Sequence, residues 1–128
     1  KDNHLAGVAP GDLPGVVRRA VARARELRPT GIKFFEVEVD TLVQFESLMR
    51  DPVEGLGIVL LDNMNLADMR EAVRLRNNAE LPLLLEASGG VRLDTLRAIA
   101  DTGVDRVSVG SLTHGAISVD FGLDACEP

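Results

Sequence analysis

Short apolar runs alternate with longer amphipathic stretches along this chain. The strand-like runs fall at residues 32–39, 57–61, 83–87 and 106–109. The helical stretches, in which apolar residues recur every three or four positions, fall at about 12–27, 41–51, 65–78 and 93–100. Asp12, either Asp40 or Thr41, and Asn65 stand where N-caps would be expected. Residues 1–10 are interrupted by glycine and proline and are predicted to form a loop.

The repeat of strand and helix predicts the fold class. Successive strand-like runs begin about 25 residues apart, which is the size of a parallel βα crossover. The third run, from Leu83, has no polar alternation, as is typical of a strand covered on both faces. An open, doubly wound sheet and a barrel both fit an α/β protein of this kind. Polar residues recur at every strand end, and this favours a barrel, where those ends meet at one mouth.

Acidic side chains share one face of the predicted strands. Glu36 and Glu38 lie two positions apart, so both point to the same side. If the polar faces point inward, the upper layer contains Glu38, Asp62, Ser88 and Gly110, and the layer below contains Glu36, Glu86 and Ser108. A buried carboxylate is unfavourable unless it is paired, so this face requires cations, a metal or a ligand. A solvated sheet edge is the alternative for the glutamates, and an ordinary turn is the alternative for Asp62.

Two glycine-containing turns follow the last two strands. The first is Ser88, Gly89 and Gly90, and the second is Gly110 and Ser111. Glycine permits φ > 0 and close approach of a ligand, and the helix starts that follow add free N–H groups. The last two βα loops of many barrels form a phosphate site together. His114 is near enough in sequence to donate to such a phosphate, although a surface histidine is the alternative.

The residues by themselves thus predict a phosphate-binding turn pair flanked by carboxylates. This combination suits a sugar phosphate whose hydroxyls, or an associated Mg²⁺, are held by Glu38 and Asp62. It does not specify a reaction.

Composition narrows the classes of protein further. The chain has 128 residues, of which 45% are hydrophobic and 27% charged, as in a soluble globular domain. Its net charge of −6 argues against nucleic acid as a partner. It does not exclude a small anionic ligand, because binding one requires only local hydrogen-bond donors. The single cysteine, Cys126, excludes an internal disulfide and favours a reducing compartment such as the cytoplasm. No apolar run is long enough to suggest a membrane partner.

Five short motifs occur in order along the chain. They are Lys1-Asp2-Asn3-His4, Glu36-Val37-Glu38-Val39, Leu61-Asp62-Asn63-Met64, Glu86-Ala87-Ser88-Gly89-Gly90 and Ser108-Val109-Gly110-Ser111-Leu112-Thr113-His114. Together they resemble the C-terminal half of the quinolinate phosphoribosyltransferase family, the carboxylating nicotinate-nucleotide pyrophosphorylases. The resemblance covers nearly the whole chain.

The resemblance implies a reaction and an assembly. Members of this family join quinolinate to phosphoribosyl pyrophosphate in NAD biosynthesis, giving nicotinate mononucleotide, pyrophosphate and CO₂. It implies Mg²⁺ as cofactor, and a homodimer or larger homo-oligomer in which a neighbour's N-terminal domain closes each active site. Residues 1–128 would form the C-terminal part of an incomplete α/β barrel, without the N-terminal domain and the first barrel elements. We expect this piece alone to be inactive.

The resemblance also assigns roles to residues. Lys1 matches a lysine that lies among the negative groups of the substrates. Glu38 and Asp62 match carboxylates that meet the ribose hydroxyls and Mg²⁺. Residues 88–90 match one phosphate loop and residues 110–111 the other, with His114 nearby.

Two other functions remain open from the sequence. A paralogue of the same fold, such as the molybdenum-transport accessory proteins, would use another acceptor. A non-catalytic domain would bind a phosphorylated metabolite and nothing more. Glu38 and Asp62 argue against the second alternative, because carboxylates beside a phosphate do not help a simple anion binder.

Overall fold

The described part of the chain folds into a four-stranded parallel sheet with helices between the strands. The computed structural model describes residues 2–114, so Lys1 and Cys126 lie outside the described residues. The elements are α1 (Asp2–Leu5), a 3₁₀ helix (Pro10–Asp12), α2 (Leu13–Leu27), β1 (Phe35–Val39), α3 (Leu42–Arg50), β2 (Leu56–Asp62), α4 (Leu66–Asn78), β3 (Leu84–Ser88), α5 (Leu93–Ala100), β4 (Arg106–Val107) and α6 (Ser111–His114).

The sheet topology confirms the predicted fold class. The strands pair in the order β1-β2-β3-β4, and every pair is parallel. Within residues 2–114 the sheet is not closed on itself, as expected for part of an incomplete α/β barrel. In the same part of the chain, none of the helices has the length and the apolar character needed to cross a membrane.

One face of the sheet is apolar and packs against the helices. Val39, Leu61 and Ala87 are register neighbours on this face, and each is 0% exposed. Phe45 of α3 and Met69 of α4 belong to the same buried cluster. Burial of a side chain as large as Leu61, Phe45 or Met69 stabilises the fold by about 1.5–3 kcal/mol.

The opposite face carries the polar residues. Glu38, Leu60 and Glu86 are register neighbours on it, and Asp62 lies beside Ser88. The exposure of the side chains varies across this face: Glu86 is buried, Glu38 is half-buried and Glu36 is exposed. The carboxyl ends of β1, β2 and β3 therefore bring polar groups to one edge of the sheet.

Local signals account for two of the helix starts. Thr41 caps α3 in a capping box, in which its side chain accepts from the Gln44 N–H and the Gln44 side chain accepts from the Thr41 N–H. Asn65 caps α4 by accepting from two backbone N–H groups, each at 2.9 Å. The prediction for Asp12 was wrong: its backbone is already helical, and its side chain makes no cap hydrogen bond.

Several predictions differ from the structure, and the bounds of β1 and β4 differ because the described residues offer no register partner beyond them. β1 begins at Phe35 rather than Ile32, since its register with β2 starts there. β4 contains residues 106–107 instead of 106–109. The N-terminal stretch predicted as a loop contains α1. Leu84, predicted to be covered on both sides, is 43% exposed.

Candidate functional site

Three carboxylates meet at the carboxyl ends of β1 and β2. Oxygen atoms of Glu38, Asp40 and Asp62 all lie within 4.8 Å of one another. Glu38 and Asp62 are half-buried, whereas Asp40 is exposed. Asn63 donates a hydrogen bond to Asp62 Oδ2 at 2.7 Å, which orients that carboxylate. We call these three residues the acidic cluster.

The register places Glu38 one step lower than the sequence predicted. Glu38 pairs with Leu60, so it is level with Glu86 and not with Asp62. Its longer side chain nevertheless reaches the carboxylate of Asp62. Asp40, two positions further along the chain, is the member of the cluster that sequence reasoning missed. The period of two that links Glu36 to Glu38 also extends to Asp40, and this was the signal for it.

A second group of charged residues lies on the same face, level with Glu38 and one step below Asp62. Arg106 of β4 is the register neighbour of Glu86, and its Nε lies 2.9 Å from Glu86 Oε2. Ser108 donates a hydrogen bond to the other oxygen of Glu86. Partial burial raises the pKa of Glu36 above its ordinary value, and the negative charges of Glu86 and Glu38 add to this while Arg106 opposes it. Negative charges therefore outnumber positive charges around Glu36 on this face.

The two glycine turns line one cleft of about 470 Å³. Its walls come from residues 88–92 and from Ser108, Gly110 and Ser111. A methyl group at Gly90 or at Gly110 would meet no atom within 4 Å, so space is open above both positions. Gly90 has φ +61, a conformation that glycine adopts without strain. The backbone of both turns is accordingly accessible to a ligand in the cleft.

Gly89 joins the cleft to the acidic cluster. Its φ is +85, and a methyl group there would lie 2.2 Å from Asn63 Oδ1 and 2.8 Å from Asn63 N. Asn63 N–H also donates to the Ser88 carbonyl at 2.9 Å. Asn63, which orients Asp62, thus packs directly on the first turn. The cleft and the cluster form one continuous site.

Arg92 is a further residue that the sequence analysis did not identify. It lines the cleft directly after the first turn, and its guanidinium is paired with the exposed Asp94. The hydrogen bond from Arg92 lowers the pKa of Asp94 and raises the pKa of Arg92, so both stay ionised. The signal for Arg92 was its position between the Ser-Gly-Gly turn and the following helix.

The structure brings together most of the residues that the sequence singled out. The cleft contains Ser88, Gly89, Gly90, Gly110 and Ser111, and the acidic cluster contains Glu38 and Asp62. Lys1 lies outside the described residues. The backbone of His114 ends α6, but its side chain is also outside them. The assignments of Lys1 and His114 therefore stay predictions.

This arrangement suits a ligand with two different ends. Open backbone next to a hydroxyl and a guanidinium suits a phosphate group. Clustered carboxylates suit hydroxyl donors or a hard divalent cation. A phosphorylated sugar, with its phosphate in the cleft and its hydroxyls at the cluster, has both kinds of group.

Comparison with known proteins gives a consistent result. A family model described as "Quinolinate phosphoribosyl transferase, C-terminal domain" matches residues 1–124. The nicotinate-nucleotide pyrophosphorylase [carboxylating] of Mycobacterium leprae is 39% identical over 124 residues, covering 97% of this chain and 40% of its own length. A probable enzyme of the same name from Methanocaldococcus jannaschii is 34% identical, covering 97% of this chain and 41% of its own.

Solved structures agree with the sequence comparisons. NadC from Streptococcus pyogenes superposes with a TM-score of 0.67 at 35% identity, covering 97% of this chain and 39% of that one. The nicotinate-nucleotide pyrophosphorylase from Francisella tularensis gives 0.64 at 31% identity, covering 88% and 35%. The chain spans about 40% of the length of the curated relatives that it matches.

Proposed function

This chain belongs to the quinolinate phosphoribosyltransferase family, and from that premise we propose that it provides the phosphoribosyl-binding part of the active site. The overall reaction would transfer phosphoribose from phosphoribosyl pyrophosphate to quinolinate, with release of pyrophosphate and CO₂, to give nicotinate mononucleotide. The observation that carries the proposal is the continuity of the cleft and the acidic cluster through Asn63 and Gly89.

The cleft would hold the ribose 5-phosphate. Gly90 and Gly110 leave room for phosphate oxygens to approach the backbone, and the hydroxyl of Ser111 lies on the wall. Arg92 would contribute positive charge at the rim. Because these donors are local, the site accepts an anion although the chain carries a net charge of −6.

The acidic cluster would hold the ribose ring and stabilise its charge during transfer. Positive charge builds up on the anomeric carbon as the bond to pyrophosphate breaks, and fixed carboxylates stabilise such charge. Asp62 is suited to this because Asn63 orients it. Glu38, one step lower on the neighbouring strand, would receive a second hydroxyl.

The same cluster fits a divalent cation. Three carboxylate oxygens lie within 4.8 Å of one another, and within residues 2–114 no ion pair involves Glu38, Asp40 or Asp62. Hard oxygen donors in this number match Mg²⁺, directly or through water and substrate. A bound Mg²⁺ would neutralise charge on the leaving pyrophosphate.

Two further members of the site would be Lys1, which lies outside the described residues, and His114, whose side chain lies outside them. Lys1 would lie among the negative groups of the substrates, and His114 would donate to the phosphate. We propose residues 1–128 as the C-terminal part of the barrel domain, acting in a homodimer or larger homo-oligomer in a reducing compartment such as the cytoplasm. Loss of CO₂ would follow transfer, since the quaternised ring nitrogen stabilises the carbanion that remains.

Titration calorimetry and product analysis on the full-length protein test the proposal. Quinolinate should bind, and CO₂ should be released when phosphoribosyl pyrophosphate and Mg²⁺ are added. Binding of phosphoribosyl pyrophosphate without any response to quinolinate would indicate a paralogue with another acceptor. Binding of phosphate compounds that does not depend on Mg²⁺ and gives no product would indicate a non-catalytic domain.

Substitutions in the acidic cluster give a sharper test of the chemistry. Asp62→Asn keeps the shape and removes the charge, so we expect kcat to fall roughly 100-fold, as for loss of one transition-state contact. Asp12→Asn is the matched control, because Asp12 is exposed and its side chain makes no cap hydrogen bond. Equal kcat values for the two variants would exclude the role proposed for Asp62.

A further inference from the structure

A buried carboxylate on β3 lies beneath the cleft. It contacts Arg106 of β4 and Ser108, the residue after β4. Glu86 of β3 is 6% exposed, and the hydroxyl of Ser108 donates to its Oε1. Its Oε2 lies 2.9 Å from Nε of Arg106, yet within the described residues no donor makes a well-directed hydrogen bond to it. Glu86 thus interacts with residues 106 and 108, which share one face of the sheet.

On the side that leads to the second turn, the segment that Glu86 contacts has few backbone hydrogen bonds to β3. β4 consists of Arg106–Val107 and pairs with β3 at two register positions. One more backbone hydrogen bond follows, from Ser108 N–H to the Ala87 carbonyl at 2.9 Å. Gly110, on the wall of the cleft, is two residues further along. The position of the second turn therefore depends on how firmly Ser108 is attached to β3.

Stability alone does not require this carboxylate. Burying a charge is unfavourable unless its partners are complete, and an apolar pair at positions 86 and 108 would join the strands without that penalty. The Ser108 hydroxyl, in contrast, is directional, and it sets the distance between β3 and the chain entering the second turn. A directional contact is useful where a ligand must fit between two loops.

We propose that Glu86 is a positioning residue, which holds Ser108 and thereby keeps residues 110–111 at the distance from residues 88–90 that one phosphate group requires. This inference rests on the function proposed above, because it concerns the same phosphate. The affected ligand class is phosphorylated sugars, and binding of the aromatic acceptor does not depend on the contact.

Replacing the donor tests this role in the full-length protein. Ser108→Ala should raise the Kd of phosphoribosyl pyrophosphate about tenfold or more, the effect of one hydrogen bond to a charged group, and leave the Kd of quinolinate unchanged. Ser108→Thr restores the hydroxyl and should restore binding. Ser47→Ala is the matched control: it removes a buried hydroxyl that donates to the Gln44 carbonyl at 2.7 Å in α3.

A second variant covers the case in which Ser108→Ala reduces the folded fraction. Glu86→Asp keeps the charge and withdraws the carboxylate by one methylene, so the same selective rise in Kd is expected. Unchanged Kd values in both variants overturn the inference. An equal rise for both substrates also overturns it, since that reports a general loss of structure. If the unaltered protein binds neither phosphoribosyl pyrophosphate nor inorganic phosphate, the proposed function fails first, and the positioning role fails with it.

Discussion

Asn63 and Gly89 show how much of the site depends on the backbone conformation of two residues. Both have positive φ, +51 for Asn63 and +85 for Gly89. Asn63 is one of the few residue types that adopt this region at low cost, and its side chain then turns back to Asp62. Gly89 leaves the space that Asn63 occupies. The first glycine turn and the carboxylate of Asp62 are therefore fixed relative to each other.

Gly89→Ala should disrupt this contact. The added methyl group would overlap Asn63 atoms at 2.2 Å and 2.8 Å, and the positive φ adds strain of about 1–2 kcal/mol. We expect kcat/KM for phosphoribosyl pyrophosphate to fall by more than about tenfold, measured by steady-state kinetics. Gly31→Ala is the control for backbone strain alone. Gly31 also has positive φ, but a methyl group added there would meet no atom within 4 Å. Similar losses in both variants would contradict this explanation.

The raised pKa of Glu36 gives a prediction about pH. Its folded pKa lies above the ordinary value of 4.5, so the folded state holds the proton more tightly and stability falls as pH rises through this range. Glu36→Gln should therefore raise the free energy of unfolding at about pH 7, by a small amount because solvent screens this exposed side chain. Below about pH 4 the difference should disappear.

Urea denaturation at the two pH values measures the effect of Glu36. Glu54→Gln, at another exposed glutamate, is the control and should show little change at either pH. A variant that is less stable than the parent at neutral pH would show that Glu36 makes a favourable contact, contrary to this interpretation.

At the scale of elements, one ion pair joins a helix to the residues directly before β3 and β4. Arg76 near the end of α4 donates to the Leu83 carbonyl at 2.9 Å and to Asp105 Oδ2 at 2.6 Å. The same oxygen of Asp105 accepts from the Leu85 N–H at 2.7 Å. The side chain of Arg76 is 13% exposed, so this pair is better shielded than the surface pairs of the chain.

Asp105→Ala should destabilise the fold by about 2 kcal/mol, because it leaves the N–H of the fully buried Leu85 and the charge of Arg76 without their acceptor. Asp101→Ala removes a carboxylate from an exposed ion pair with Arg97 at 3.2 Å and should cost less than about 0.5 kcal/mol. Chemical denaturation of both variants makes the comparison. Equal losses would mean that the Asp105 network contributes no more than a surface pair.

The sequence predicted elements well where the signal was local. The amphipathic periodicity identified α2, α3, α4 and α5, and the caps at Thr41 and Asn65 are as expected. Errors occurred where the outcome depends on a partner. Residues 32–34 have strand character but no register partner on β2, and β4 stops after Val107. Pairing is a tertiary property that propensity does not contain.

At the scale of the molecule, the site is assembled from the ends of four strands. Residue types and the period of two predicted that Glu38 and Asp62 share a face with residues 88 and 110. They did not predict the stagger between β1 and β2. Because of it, Glu38 pairs with Leu60 and not with Asp62, and Asp40 becomes part of the cluster. Stagger arises from how strands tilt in a barrel, and one sequence does not specify it.

Removal of divalent metal tests the assembled site. Three carboxylates within 4.8 Å repel an anionic ligand when no cation is present, in a chain that already carries a charge of −6. We expect a chelator to weaken binding of phosphoribosyl pyrophosphate by at least about tenfold in calorimetry. Inorganic phosphate, which would occupy the cleft alone, should be affected much less. Equal affinities with and without chelator would remove the metal role of the cluster.

The order of the strands bears on how the polypeptide reaches this structure. Each strand pairs with its neighbour in sequence, and register partners are between 20 and 26 residues apart. Such local pairing gives a low contact order for a parallel sheet and favours rapid folding. During synthesis each βα unit can dock onto the preceding one as it leaves the ribosome. The two glycine turns follow β3 and β4, so the cleft that they line forms after β1 and β2 are in place.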